Sequence, residues 1–201
     1  MNVPNKITLC RIGLSILLLI LMIFPVDKIG LSFPMFEIVA SKGTILIDCK
    51  YIICGIMFAV AAFTDFLDGC LARKYNLVTD FGKILDAIAD KVLVNGVLIL
   101  FAVNGYISPV IPVVIISRDT IVDSIKMIAG QKAGAVGASK LGKIKTVVML
   151  VGLTLTFFYN LPFELWNINV ASVFLLIATV LSVVSGVEYY EKNKKYFFDA
   201  K

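Results

Sequence analysis

Long apolar runs, separated by short polar or turn-forming stretches, dominate the pattern along this 201-residue chain. A helix needs roughly 20 apolar residues to cross a hydrocarbon core about 30 Å thick. Several runs have that length, and turn-forming residues such as Pro25, Pro109 and Pro162 separate them. The pattern therefore predicts an all-α, polytopic membrane protein with six transmembrane helices, at approximately 7–25, 51–73, 83–104, 109–130, 143–160 and 167–187.

The stretches outside these spans are expected to lie at the membrane surface. Residues before the first span form an N-terminal cytoplasmic or interfacial segment, and part of the connection from Val26 to Lys50 lies along the interface. The C-terminal stretch 188–201 mixes tyrosine and phenylalanine with lysine, which is typical of interfacial segments. Because no internal repeat divides the chain, residues 1–201 are interpreted as a single domain.

Composition and charge support a membrane location. The chain is 59% hydrophobic and 16% charged, whereas about a quarter of the residues in a soluble domain are charged. Lysine and arginine gather near both ends and in alternate connections, which predicts a multi-pass protein of the cell membrane with both termini on the cytoplasmic side. The net charge of +5 would face anionic membrane lipids there, and no nucleic-acid partner is expected.

The absence of histidine narrows the chemistry that this chain can perform. Histidine is the commonest general base and the commonest zinc ligand in proteins. The four cysteines have no Cys-x-x-Cys spacing and lie mostly in apolar runs, so they are interpreted as small buried side chains. Proton transfer or metal binding must therefore depend on other residues.

Four aspartates interrupt the apolar pattern: Asp65, Asp68, Asp86 and Asp90. A carboxylate in or near a bilayer is costly and is usually functional. The i, i+3 and i, i+4 spacings put each pair on one helical face. If the two helices pack antiparallel through a turn at 75–79, the four carboxylates converge. Oxygen ligands without histidine or cysteine favour Mg²⁺, Mn²⁺ or Ca²⁺ over zinc.

Such a site suits phosphate chemistry, although other interpretations exist. Two divalent ions about 3.5–4 Å apart can clamp an in-line displacement at phosphorus. The simplest alternative is that the aspartates pair with Arg73, Lys83 and Lys91. A divalent-cation transporter would predict inverted repeats, which the sequence lacks. A scaffold that associates through Ser182 and Gly186 would leave the aspartates unexplained.

A second group of charged residues predicts an anion site. Arg118 lies well inside the predicted fourth span, and its planar guanidinium suits a phosphate. The alternative is an ion pair with Asp123 or with one of the four aspartates. Three lysines at the cytoplasmic entrance of the fifth span could complete a phosphate pocket, or could simply mark the cytoplasmic side: Lys140, Lys143 and Lys145.

The order Asp65-x-x-Asp68-Gly69-x-x-Ala72-Arg73, eight residues, then Gly82-x-x-x-Asp86-x-x-x-Asp90 resembles the signature of the CDP-alcohol phosphotransferase family. All eight positions are present at the family's spacing, and the six-span layout extends the resemblance over most of the chain. The resemblance implies a membrane enzyme that transfers the phosphatidyl group of a CDP-linked lipid to an alcohol and releases CMP. It also implies a homodimer, for which residues 182–186 are a candidate seam.

Three further segments, 4–8, 118–119 and 142–146, together with Arg11, resemble the branch of the family that uses CDP-diacylglycerol and sn-glycerol 3-phosphate. Inositol phosphate or phosphatidylglycerol are the alternative acceptors. The stretch 123–126 departs from the family's pattern, because Lys126 stands where arginine is usual and Asp123 adds an acid.

The resemblance also implies roles for individual residues. Two divalent cations, Mg²⁺ or Mn²⁺, would be held by the four aspartates, with Asp90 as the general base. The acceptor phosphate would be bound by Arg118 and the three lysines at positions 140, 143 and 145. The nucleotide would be bound by Asn5, Thr8, Gly69, Ala72, Arg73 and Gly82, although Asn5 and Thr8 would serve equally well as helix caps.

Overall fold

The computed structural model describes residues 3–24, 33–40, 43–74, 80–133 and 139–194, without the side chains of 3–6, 40, 43, 66–74, 80–81, 83 and 131–133. These ranges contain six α-helices, all of which overlap the predicted spans. The helices are α1 (Val3–Ile23), α2 (Cys49–Lys74), α3 (Asp80–Val103), α4 (Val110–Ala133), α5 (Lys140–Phe157) and α6 (Val170–Asn193).

Local sequence signals explain where the last two helices begin. The Ser139 hydroxyl accepts a hydrogen bond from the backbone N–H of Gly142 at the start of α5. The Asn169 side chain accepts one from the N–H of Ser172 at the start of α6. Such caps satisfy backbone donors that have no partner within the helix. A short 3₁₀ helix (Phe163–Trp166) lies between α5 and α6.

One helix among the described residues, α6, is long and apolar enough to be a membrane span by length and composition alone. On α1, the shorter stretch Ile7–Ile23 is also apolar. Charged side chains such as Asp65, Asp90 and Arg118 interrupt the apolar character of α2, α3 and α4. The mostly helical fold is thus confirmed, and the six-span arrangement stays a prediction.

The connection after α1 contains a β-hairpin, which differs from the all-α expectation. Strands β1 (Met35–Ala40) and β2 (Gly43–Asp48) pair antiparallel, with Met35 opposite Asp48. The strands are rich in isoleucine, valine and threonine, which favour extended structure. Ile47 is buried, whereas Val39 is 84% exposed, so the hairpin presents one face to the bundle. The signal that could have predicted it was a pair of short runs rich in β-branched residues on either side of a turn next to Gly43.

An aromatic cluster supports the end of the bundle next to the hairpin. The Tyr51 ring lies 5.0 Å from that of Tyr106 and 6.2 Å from that of Tyr159, measured between ring centroids. The Tyr159 hydroxyl accepts a hydrogen bond from the backbone N–H of Asp48 at 3.0 Å. Phe101 connects the cluster to the fully buried core.

Helix α1 packs against both α2 and α3, while α6 packs against α4 and α5. Among the described residues, α2 and α3 make their main contacts with α1 rather than with each other. This arrangement differs from the expected direct pairing of α2 and α3. The core contains side chains from several helices, including Leu18, Phe58, Val97 and Leu153. The faces of α2 and α3 that carry the aspartates are therefore connected through α1.

Candidate active site

Three of the predicted aspartates converge on one side chain of α1. The Arg11 guanidinium pairs through Nη1 with Asp65 Oδ1 and through Nη2 with Asp86 Oδ1. Its Nη1 also lies 3.5 Å from Asp90 Oδ1. The Arg11 side chain is only 2% exposed, whereas the Asp86 and Asp90 side chains are 49% and 55% exposed. We refer to Arg11, Asp65, Asp86 and Asp90 as the acidic cluster.

Arg11 is the partner that the sequence interpretation missed. It was used there only as a marker of orientation and of family branch. The signal was a polar stripe on one face of α1, because Thr8, Arg11 and Ser15 have i, i+3 and i+7 spacing. All three are buried, and Leu18 and Met22 continue the same buried face. A helix that buries arginine on its apolar face needs an anionic partner on a neighbouring helix.

The donor set of the acidic cluster suits a hard divalent cation. Its carboxylates supply only oxygen ligands, which is the set preferred by Mg²⁺ and Mn²⁺. Within the described ranges, no group of three aspartate, glutamate, histidine or cysteine side chains is positioned to ligate one ion. The Arg11 guanidinium lies between the carboxylates and supplies positive charge there. The carboxylates are therefore suitable ligands for a divalent cation. A bound cation would share them with Arg11.

Of the three alternative partners suggested by the sequence, only Lys91 has a described side chain, and it pairs elsewhere. Lys91 pairs with Asp123 on α4, although it was proposed as a partner for the four aspartates. The side chains of Arg73 and Lys83 lie outside the described residues, as do those of Asp68, Gly69 and Ala72. The cation that neutralises the described aspartates is thus provided by α1.

The remaining predicted nucleotide residues lie on α1 and α3. Thr8 is buried one turn before Arg11 on α1, and Gly82 is half-buried one turn before Asp86 on α3. The side chain of Asn5 lies outside the described residues. The nucleotide-binding roles of these residues stay predictions.

A second polar network surrounds Arg118 on α4. Its Nη1 donates to Asp119 Oδ1 at 2.8 Å, its Nη2 to Ser185 Oγ at 2.7 Å, and its Nε to the backbone oxygen of Ser182 at 2.9 Å. The anionic partner is therefore Asp119, and not Asp123 as the sequence alternative suggested. Lys145 Nζ on α5 lies 2.8 Å from both carboxylate oxygens of Asp119.

The small residues proposed as a dimer seam serve this network instead. Ser182 and Ser185 are fully buried within the chain. A Cβ atom placed on Gly186 would lie 3.0 Å from Arg118 Cγ and 3.3 Å from its Nε. The 182–186 face of α6 is thus occupied by Arg118, which corrects the expectation that it associates with a second copy.

A cavity of about 330 Å³ connects the two polar groups. Helices α2 and α3 contribute Asp65 and Asp90 to its lining, and α4 and α5 contribute Arg118, Asp119 and Lys145. Five cationic side chains line it, which we call the basic wall: Lys91, Arg118, Lys126, Lys143 and Lys145. Among the described residues, Lys140 is exposed at the start of α5 and does not belong to the lining.

The cavity also contains residues that sequence reasoning did not select. Asp119, Asp123 and Lys126 have i, i+4 and i+7 spacing on α4, so the pattern of one polar face was present in the sequence. Asp123 accepts from Lys126 at 3.3 Å in addition to its pair with Lys91. Tyr189 on α6 completes the lining. No spacing rule singles out this tyrosine among the seven in the chain.

Fold and cavity together define a helical bundle whose carboxylates and cations share one chamber suited to phosphate-bearing substrates. Residues 1–184 match the model of the CDP-alcohol phosphatidyltransferase family. The chain belongs to this family, as the signature motif had indicated.

Relatives with assigned names cover nearly the whole chain. It is 38% identical over 192 residues to the CDP-diacylglycerol–glycerol-3-phosphate 3-phosphatidyltransferase of Bacillus subtilis, covering 96% of this chain and 95% of the relative. It is 31% identical to the Rickettsia felis protein of the same name, covering 98% and 97%. The fold resembles the crystal structure of Mycobacterium tuberculosis phosphatidylinositol phosphate synthase, with a TM-score of 0.60, 16% identity, and coverage of 94% and 88%.

Proposed function

We propose that this enzyme transfers the phosphatidyl group of CDP-diacylglycerol to sn-glycerol 3-phosphate, forming phosphatidylglycerol phosphate and CMP. The observation that carries the proposal is the single cavity that joins Asp65 and Asp90 to the basic wall. The printed names of the Bacillus and Rickettsia relatives support the same pair of substrates.

The charge of the cavity favours an acceptor that carries a phosphate. The basic wall has five cations, and the same lining has four carboxylates: Asp65, Asp90, Asp119 and Asp123. The lining therefore has one positive charge in surplus, and a neutral acceptor such as serine would leave that charge uncompensated. A phosphomonoester supplies the missing negative charge and accepts hydrogen bonds from guanidinium and ammonium groups. Arg118, Lys143 and Lys145, with Lys140 at the entrance, would bind it.

The acidic cluster supports the transfer chemistry. Asp65, Asp68, Asp86 and Asp90 would hold two divalent cations, Mg²⁺ or Mn²⁺, which when bound offset the negative charge of the CDP diphosphate. Asp90 would accept the proton from the acceptor hydroxyl, for which it must come within hydrogen-bond reach. The hydroxyl oxygen bonds to the phosphorus that carries diacylglycerol, and the bond from that phosphorus to CMP breaks. The nucleotide would contact Asn5, Thr8, Gly69, Ala72, Arg73 and Gly82.

The membrane arrangement is part of the proposal. Six spans with both termini and the cavity on the cytoplasmic side are supported by the distribution of lysine and arginine along the chain. A cytoplasmic cavity gives access to soluble glycerol 3-phosphate, and its membrane position gives access to the lipid donor. A homodimer, expected from the family resemblance, would need a surface other than 182–186, because Arg118 fills that face.

The experiment is transfer of radiolabelled acceptor by the purified protein in detergent, with CDP-diacylglycerol and Mg²⁺ or Mn²⁺. Label should enter lipid from glycerol 3-phosphate, and parallel assays with inositol phosphate, serine and phosphatidylglycerol should give little product. Transfer to inositol phosphate in preference to glycerol 3-phosphate would overturn the acceptor assignment.

Two variants make the assay specific for the proposed chemistry. Asp90→Asn should lower the rate by about 10²–10⁴-fold, the usual contribution of a general base. Asp48→Asn is the matched control, because Asp48 lies at the end of β2 and caps the N–H of Lys50 through an oxygen that asparagine retains. Equal activity of the Asp90 and Asp48 variants would contradict the proposed role of Asp90.

A further inference from the structure

The hydroxyl of Tyr189 is a buried polar atom without a partner among the described residues. Tyr189 is only 3% exposed, and its hydroxyl has no hydrogen bond within the described part of the chain. Buried polar groups in folded proteins are nearly always hydrogen-bonded, so an isolated one requires an explanation. Tyr189 also lines the cavity that is lined by Asp65, Asp90 and the basic wall. A bound ligand in the cavity would provide the missing partner.

The surroundings of Tyr189 hold its ring in place. The ring packs with Val122 and Ile125 of α4 in a small apolar cluster separate from the main core. In the sequence Asp123 lies between these two residues, directly after Val122, and it is close enough to act on the phenol electrostatically. Asp123 is already engaged by Lys91 and Lys126, so it has two cationic partners of its own. The phenol is therefore fixed beside the basic wall, and its hydroxyl has no acceptor among the described residues.

We propose that the Tyr189 hydroxyl donates a hydrogen bond to the phosphate of the acceptor alcohol and thereby acts as a specificity-determining residue for a phosphorylated acceptor. The inference rests on the proposed function and extends the acceptor site from α4 and α5 to α6. Arg118 and Lys145 are both engaged with Asp119, and the Tyr189 hydroxyl adds a donor from α6 that is not shared with this carboxylate. A phosphate oxygen is a strong acceptor for such a donor.

The test is Tyr189→Phe, which removes the hydroxyl and keeps the ring. We expect the KM for glycerol 3-phosphate to rise about tenfold, the usual effect of losing one hydrogen bond to a charged group. The KM for CDP-diacylglycerol and the kcat should stay close to those of the wild type. Inorganic phosphate, used as a competitor of glycerol 3-phosphate, should show a Ki that rises by the same factor.

Tyr190→Phe is the matched control, because it removes the same atom from the next residue of α6, whose side chain is 43% exposed. Its kinetic constants should match those of the wild type. An unchanged KM for glycerol 3-phosphate in Tyr189→Phe would overturn the inference. A raised KM with an unchanged Ki for phosphate would also overturn it, because the contact would then be to another part of the acceptor.

The same data separate this inference from the proposed function. If wild-type protein transfers label to glycerol 3-phosphate and Tyr189→Phe does so equally well, only the role of Tyr189 fails. If wild-type protein transfers no label to glycerol 3-phosphate, the proposed function itself fails. An equal loss in both KM values, together with a lower melting temperature, would indicate a structural role for Tyr189 and would overturn the inference.

Discussion

Lys145 Nζ on α5 lies 2.8 Å from both carboxylate oxygens of Asp119 on α4, and its side chain is only 4% exposed. The same carboxylate accepts from Arg118 Nη1 at 2.8 Å. One aspartate therefore organises two cations of the basic wall. Two like charges held this close would repel each other without the carboxylate.

We predict that Asp119→Asn raises the KM for glycerol 3-phosphate about tenfold or more, because Arg118 and Lys145 lose the charge that orients them. The KM for CDP-diacylglycerol should change little. Steady-state kinetics with each substrate varied in turn measures the two constants. The melting temperature should also fall, since a buried lysine is left without its anionic partner.

Asp119→Glu is the control, because it keeps the carboxylate. Its KM for glycerol 3-phosphate should lie much closer to that of the wild type than to that of Asp119→Asn. If both variants show the same rise in KM, the length of the side chain matters rather than its charge, and the organising role of Asp119 is wrong.

A second prediction concerns the shared use of carboxylates by Arg11 and metal ions. Arg11→Gln leaves Asp65, Asp86 and Asp90 without the guanidinium that now lies between them. The melting temperature in EDTA should fall by several degrees, because the carboxylates then repel each other. Mn²⁺ should raise it by more in the variant than in the wild type, since the ion replaces the lost positive charge.

Thermal unfolding in detergent, with EDTA and with Mn²⁺, measures this difference. Lys192→Gln serves as the control, because Lys192 forms an exposed pair with Glu188 on α6 and exposed pairs contribute little to stability. A loss of stability in Arg11→Gln that is the same with and without Mn²⁺ would contradict the shared site.

The positions of the six helices and of the acidic residues followed from the sequence because both depend on local pattern. Apolar run length predicts helices in a membrane protein, and helical spacing puts Asp86 and Asp90 on one face. The central position of Arg11 did not follow, since it depends on how α1 is rotated against two other helices. The choice of Asp119 over Asp123 as the partner of Arg118 likewise depends on packing between α4, α5 and α6.

The hairpin and Tyr189 were missed for different physical reasons. The strands 35–40 and 43–48 lie in a connection whose apolar residues on both faces are equally typical of a segment at the membrane interface. Tyr189 lies in a stretch that was interpreted as an interfacial segment. Its burial results from tertiary packing between α4 and α6. The residues next to it in the sequence do not distinguish it from Tyr190.

A third prediction uses the close approach of α6 to Arg118. Gly186→Ala should raise the KM for glycerol 3-phosphate several-fold, because the new Cβ atom would lie 3.0 Å from Arg118 Cγ and must displace that side chain. Gly130→Ala on α4 is the control, since among the described residues no atom beyond the neighbouring backbone of α4 lies within 4 Å of a Cβ placed there. That variant should keep its kinetic constants and gain about 0.5–1 kcal/mol of helix stability. Equal kinetics for the two variants would show that Arg118 is not sensitive to its position against α6.

The last prediction separates the aromatic cluster from catalysis. Tyr159→Phe should lower the free energy of unfolding by about 1 kcal/mol, because the backbone N–H of Asp48 loses its acceptor while the ring contacts with Tyr51 and Tyr106 remain. Tyr159→Leu should lower it further, since it also removes those ring contacts. Both melting temperatures should be measured beside the KM for each substrate. Because Tyr159 does not belong to the described lining of the cavity, the KM values should stay at the wild-type level. A raised KM in Tyr159→Phe without a loss of stability would mean that the hairpin end of the bundle acts on the site.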